Sequence, residues 1–160
     1  MADTPPAGST TASRSNNTLP TIIVDTREKV PFTFDPMMFR VVRRALPAGD
    51  YSLVGHEHRV AIERKSLDDY VASVIAGRER FGRELHKLAA IEFGCVIVEG
   101  SLEDVLAKRY RSGAHPNAVF GATTSIIVDR RVPVFFCSDR QIARRFLESV
   151  LLRFARAAEF

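Results

Sequence analysis

Gly49-Asp50-Tyr51, a short apolar interval, Glu63-Arg64-Lys65 and then Asp68-Asp69 are acids and a lysine spaced for hydrolysis of a phosphodiester with a bound divalent cation. Asp50 and Glu63 can hold the cation, and Lys65, with one residue between it and Glu63, can orient or help deprotonate the attacking water. Upstream, Asp25-Thr26-Arg27-Glu28 closes the apolar run Ile22-Ile23-Val24 and offers a further acid for the same cluster. Carboxylate oxygens are hard ligands, so the expected ion is Mg²⁺, with Mn²⁺ as the substitute, rather than zinc. Mg²⁺ keeps several waters and shares a substrate phosphate, so few protein ligands suffice.

Those residues need elements to hold them. Tyr51 to Val54 reads as a strand leaving the Gly49-Asp50 turn, and Arg59 to Lys65 as a second strand. Gly55-His56-Glu57-His58 between them is a turn signal, so the pair is expected to form a β-hairpin. Asp50 and Glu63 then face one another at its open end. Side chains two apart share a face of a strand, which puts Glu63 and Lys65 together and Arg64 on the opposite side. Burying three charges on a hairpin otherwise rich in Val, Ile and Leu is costly without a metal or a substrate. A Glu and a Lys on one strand are by themselves most often a solvated face. The Gly-Asp at the hairpin start and the Asp-x-Arg-Glu after the first strand turn the balance.

Val24-Asp25-Thr26-Arg27-Glu28, Gly49-Asp50-Tyr51 and Ile62-Glu63-Arg64-Lys65-Ser66-Leu67-Asp68-Asp69 together resemble the signature of the XPF-type (ERCC4-domain) nuclease family. That signature is Gly-Asp, a gap, then Glu-Arg-Lys-x-x-x-Asp, with Asp69 at its last position. The likeness continues through Gly77-Arg78 and into Val96-Ile97-Val98-Glu99-Gly100. It implies a restriction-endonuclease-like α/β fold, a mixed central sheet flanked by helices, and metal-dependent cleavage of branched, flapped or forked DNA. Carried over position by position, Asp25, Asp50 and Glu63 would be metal ligands and Lys65 the water-positioning residue. Arg27, Glu28, Arg64 and Asp69 would be supporting active-site residues. The family usually carries a tandem helix-hairpin-helix DNA-binding module as well, and the Gly-hairpin signatures of that module are absent from these residues.

At 160 residues, 46% of them apolar and 26% charged, the composition is that of one globular domain. Residues 1–19, mostly Ala, Ser, Thr, Pro, Gly and Asn, are expected to be a disordered tail, and 20–160 the nuclease domain. The net charge of +4 permits nucleic-acid binding without requiring it. Of 23 basic residues 19 are Arg, which pairs bidentately with phosphate. Cys95 and Cys137 lie in apolar runs and read as buried thiols. No secretory signal and no membrane-spanning run is visible, so a cytoplasmic, nucleoid-associated protein is expected, with no membrane partner.

Further strands are expected over Phe39–Leu46, Cys95–Glu99 and Val132–Cys137. Helices are expected from Ser66, over Arg78–Glu92, Leu102–Arg109 and Asn117–Val128, and from Asp139 to Ala158. Ser66 is a natural N-cap, and Asp68 and Asp69 suit the first turn of its helix. In the last helix Ile142, Phe146, Val150 and Phe154 form the expected core stripe, while Leu151, Leu152 and Phe154 could instead serve a homodimer or heterodimer, since the family pairs through that region. Arg78, Arg83, Lys108 and Arg109 are the expected DNA contacts, His115 a helix-entry residue, and His56 and His58 exposed turn residues. Two other readings stand beside the nuclease. One is a catalytically silent DNA-binding scaffold that works with a nuclease partner, and the other an unrelated α/β protein with a coincidental acidic hairpin.

Overall fold

The computed structural model of the chain describes residues 18–157, so the expected tail falls almost wholly outside the described residues. Apolar alternation and the turns between the runs build one six-stranded mixed sheet, in the order β2-β1-β3-β4-β5-β6. Strand β1 (Thr21–Val24) runs parallel to β2 (Arg40–Arg43) and antiparallel to β3 (Tyr51–Leu53). The expected hairpin is present: β3 pairs antiparallel with β4 (Val60–Ser66), with Tyr51 opposite Ile62. Strands β5 (Phe93–Glu99) and β6 (Val134–Phe136) then add in parallel beside β4. The mixed sheet flanked by helices is the fold class that the resemblance implied.

Two apolar cores sandwich the sheet. On one face lie α1 (Leu67–Ile75), α2 (Arg78–Ala89), α3 (Leu102–Leu106) and α4 (Pro116–Asp129). Ala61, Tyr70, Phe81, Leu88, Val96 and Val98 are buried among them. On the other face α5 (Arg140–Ala157) and the Phe32, Phe34 and Phe39 loop cover Ile22, Tyr51, Val60, Ile62, Cys95 and Ile97. The alternation along β4 matters most: Val60 and Ile62 enter one core and Ala61 the other. A slip of one residue would drive two charged side chains into the α5 core, so burial fixes the register that presents Glu63 and Lys65 on the α1–α2 face. Close backbone approach fixes β5 as well, for a Cβ on Gly94 would lie 2.1 Å from the Leu88 carbonyl oxygen.

Three expectations need correcting. Strand β2 is shorter than Phe39–Leu46, because the chain bends away after Arg43 toward the Asp25 carboxylate, and as the sheet's edge strand it has all four residues exposed. The buried row of α5 is Ala143, Leu147 and Leu151, with Ile142 left 47% exposed; Phe146, Val150, Leu152 and Phe154 flank it, half-buried against the same core. His56 is half-buried rather than exposed, its Nδ1 enclosed without a hydrogen-bond partner. Helices α1 and α4 begin where their caps predict. Ser66 accepts the Asp69 amide at 3.2 Å, and His115 Nδ1 accepts that of Asn117 at 3.1 Å as the N-cap of α4. Both cysteines are buried free thiols. Among the described residues no helix is long and apolar enough to cross a membrane.

Candidate active site

The turn before β3 sets the geometry. Gly49 holds a left-handed φ of +69°, and a Cβ there would sit 2.9 Å from the Ile62 carbonyl oxygen, so only glycine lets the turn lie against β4. The next residue, Asp50, donates its amide to that same oxygen at 2.8 Å. One Asp50 carboxylate oxygen, Oδ2, accepts the Arg64 amide at 2.8 Å. The pairing of Tyr51 with Ile62 puts Asp50 directly across from Glu63. Asp50, Glu63, Lys65 and Asp69 all line one cleft of about 660 Å³ between the sheet edge and the α1–α2 pair.

The two facing carboxylates are strained electrostatically. Burial, and then the charge of Glu63, push the Asp50 carboxyl up to about 8. Burial also raises Glu63, with Lys65 opposing and Glu84 adding to the rise. Lys65 Nζ lies 3.6 Å from Glu63 Oε1 and 4.9 Å from the Phe81 ring centroid, so the lysine is confined between an anion and an aromatic face. A cation between Asp50 and Glu63 would relieve their repulsion, and the second Asp50 oxygen has no hydrogen bond committing it elsewhere. Among the described residues no three His, Cys, Asp or Glu side chains form a metal cage. Two hard carboxylates beside an open cleft nevertheless fit Mg²⁺ or Mn²⁺, which draw their remaining ligands from water and phosphate.

Asp25 does not join this pair. It is 1% exposed and does not line the cleft. Its Oδ1 accepts the Arg27 amide and Nε, both at 2.8 Å, while Oδ2 accepts the Leu46 amide at 2.7 Å and Arg27 Nη2 at 3.2 Å. Burial works to raise its pKa, but these bonds overcome it and hold the carboxyl below its usual range. The expected third ligand is thus placed as a clamp on Arg27, whose side chain remains 63% exposed and lines the cleft. Glu28 and the Arg64 side chain lie on the opposite side of the sheet. Arg64 Nε and Nη2 reach Glu28 at 2.9 and 3.2 Å, and Nη1 reaches Glu99 at 2.8 Å. Burial opposes ionisation of Glu28, yet Arg64 and the Val30 amide keep its pKa low.

The helices complete the cleft with residues that the sequence reading did not assign to the site. Arg80, Phe81 and Glu84 on α2 and Ser73 on α1 line it. The signal for them was present, since positions 77, 80, 81 and 84 share one helical face beginning at the Gly77 N-cap. Asp69 projects from the first turn of α1, whereas Asp68 turns away and accepts the Arg111 amide at 2.8 Å. Of the expected DNA contacts, Arg78 is exposed and lines the neighbouring groove, which shares Ser73 and Phe81 with the cleft. Arg83 is paired with Glu79 at 3.4 Å on the outer side of α2. Lys108 and Arg109, after α3, do not line the cleft, and Arg109 is bound to Asp104 at 2.6 Å.

Comparison with known proteins places this geometry in a family. Residues 24–150 match the model of the ERCC4 domain. The chain is 34% identical over 120 residues to a Methanocaldococcus jannaschii protein named as a candidate ATP-dependent RNA helicase, covering 75% of the chain and 14% of that protein. It is 29% identical over 137 residues to the 3′-flap repair endonuclease Xpf of Saccharolobus solfataricus, covering 83% of the chain and 55% of the relative. The chain therefore spans only part of both relatives. Among solved structures, XPF from Aeropyrum pernix in complex with DNA superposes with a TM-score of 0.68 at 24% identity, over 86% of this chain and 66% of that one. A second structure of XPF from the same organism gives 0.63 at 24% identity, over 85% and 61%. At that identity the likeness establishes a shared fold.

Proposed function

This chain belongs to the ERCC4 domain family, and from that membership and the cleft we propose that it is a metal-dependent DNA endonuclease acting at branched, flapped or forked DNA. The observation that carries the reading is the placing of Asp50 opposite Glu63, with Lys65 beside them, in one open cleft. Asp50 and Glu63 would hold Mg²⁺ or Mn²⁺. Such an ion, when bound, supplies a more acidic water and a polarised phosphate oxygen.

The chain's own residues do the rest. The Arg64 amide fixes one Asp50 oxygen, so the carboxylate is aimed before any ligand arrives. Lys65 lies where its ammonium can orient the attacking water and offset charge developing on the phosphate. Asp25 holds the Arg27 guanidinium at the cleft, where it can pair with a phosphate oxygen. Arg80 gives the opposite wall a second cation, and Arg78 stands beyond the Gly77 turn for a flanking phosphate. Pairing with a second chain through the region of α5 belongs to the same proposal. Half-buried Leu152 and Phe154, rather than Leu151, are then the contact, because Leu151 is fully buried in the chain's own core.

The test is cleavage of labelled duplex, single strand, 3′ flap, splayed fork and nicked junction in Mg²⁺, Mn²⁺ or EDTA, beside Glu63→Ala. Cutting near a branch that needs the metal and disappears in the variant is the expected result. Salt-sensitive binding without any cutting would transfer the protein to the scaffold reading, and cutting retained by Glu63→Ala would remove the site assignment.

A further inference from the structure

Arg140 is the first residue of α5, a place where a cation opposes the helix dipole, so local helix energetics do not account for it. Its contacts lead elsewhere. Nη1 reaches Glu99 Oε1 at 2.8 Å, the same oxygen that Arg64 Nη1 holds at 2.8 Å. Nη2 donates to the carbonyl oxygens of Val30 and Pro31 at 2.9 and 3.0 Å. Both guanidinium groups also face the Phe32 ring, Arg140 at 4.6 Å and Arg64 at 5.8 Å from its centroid. One carboxylate oxygen at the end of β5 thus ties the start of α5, the loop after Glu28 and the middle of β4 into a single network.

We propose that Arg140 is a positioning residue for the reaction proposed above, acting through Glu99 and Arg64 on the strand that carries Glu63 and Lys65. The inference rests on that reading of the cleft. Arg64 is the only residue between Glu63 and Lys65, and its amide is the donor that fixes Asp50 Oδ2. Its side chain is locked on the far side of the sheet by Glu28 and Glu99, with 11% of it exposed. Burial of Val60, Ala61 and Ile62 fixes which face Glu63 and Lys65 take, and the hold on the Arg64 guanidinium trims their aim within that face. Arg140 keeps Glu99 at the correct place for that grip and fixes the Val30–Pro31 backbone just beyond Glu28. Arg140 is itself 40% exposed, so its replacement removes the restraint and leaves the Arg64–Glu28 and Arg64–Glu99 pairs in being.

The experiment compares the wild-type chain with Arg140→Gln, Arg140→Lys and, as a control on the same helix, the exposed Arg145→Gln. Single-turnover cleavage of a flap substrate in Mg²⁺ is measured together with the amide resonances of residues 50 and 63–65. Arg140→Gln should lower the rate about tenfold, the scale on which groups supporting metal ligands act. Half-saturating DNA concentration should stay unchanged, and amide shifts should be confined to the direct contacts of Arg140 around Glu99 and Val30–Pro31, the catalytic strand and Asp50. Arg140→Lys keeps the charge without the two-pronged grip and should recover part of the rate, while Arg145→Gln should match the wild type. Wild-type rate and amide positions in Arg140→Gln would overturn the proposal, as would shifts spread evenly through the protein or a loss equalled by Arg145→Gln. If the wild type cuts none of the substrates the nuclease reading fails, and the amides still decide the network: confined shifts support it, and unchanged amides refute it.

Discussion

Asp50→Asn should make the protein more stable while abolishing cleavage. A free Asp titrates at 3.8, whereas burial and the facing Glu63 raise Asp50 to about 8. Between those values the folded chain must take up a proton that the unfolded chain does not hold. Stability therefore falls with rising pH across this window, by about 1.36 kcal/mol per unit, and is level above it. Over the roughly three units up to pH 7 the penalty accumulates to about 4 kcal/mol. Part of it is shared with Glu63, so the gain from neutralising Asp50 is on the order of 2–4 kcal/mol. Asparagine keeps an oxygen to accept the Arg64 amide, so the turn geometry survives the change. For a chain of this length such a gain raises the melting temperature by roughly 4–16 °C. The assay is thermal unfolding of both proteins in EDTA from pH 4 to 8.5. The gap should open from nothing near pH 4 to its full size near pH 8. Millimolar Mg²⁺ should raise the wild-type midpoint and leave the variant unmoved. A variant no more stable than the wild type at pH 7, or a gap independent of pH, would refute the electrostatic account of the cleft.

Glu28→Ala removes the partner that grips Arg64 through two nitrogens and leaves a guanidinium only 11% exposed with Glu99 alone. A loss of about 3 kcal/mol is expected, read as a lower urea midpoint. Because the Glu28 pKa is lowered from 4.5, that difference is complete at pH 7 and shrinks as pH falls below about 4.5. Gly49→Ala combines a left-handed φ with a Cβ 2.9 Å from a backbone oxygen, so it should cost at least about 2 kcal/mol and displace Asp50. Its cleavage rate should fall even at temperatures where circular dichroism shows it fully folded. Lys65→Ala should slow single-turnover cleavage by about 10²–10³ with DNA affinity little changed, and an affinity loss equal to the rate loss would make Lys65 a binding residue instead.

The hairpin was legible because two signals agreed. The Gly-Asp turn and the alternation of β4 each predict which residues share a face, and burial leaves the strand no other register. Asp25 sits apart from the expected cluster for a reason equally physical. An acid after a buried strand looks the same in sequence whether it faces a metal or an arginine two residues on. What decides is the path of the chain from Arg43 to Leu46, which brings the Leu46 amide, 21 positions away, within 2.7 Å of its Oδ2. The α5 stripe failed by one residue because two adjacent apolar rows of the helix compete for the core. Both rows 142–146–150–154 and 143–147–151 are apolar, and only the sheet beneath selects the second. Arg140 is the extreme case. Nothing in its local sequence separates it from the four other arginines of α5, and its meaning lies in an oxygen of Glu99 that a second arginine, 76 positions earlier, already holds. Residues that touch the substrate can be read from motifs because chemistry constrains their types and spacing. Residues that aim them are set by contacts between distant segments: the motif singles out Asp50, Glu63 and Lys65 for the proposed reaction, whereas the Arg140–Glu99–Arg64 network proposed to aim them comes together only in the fold.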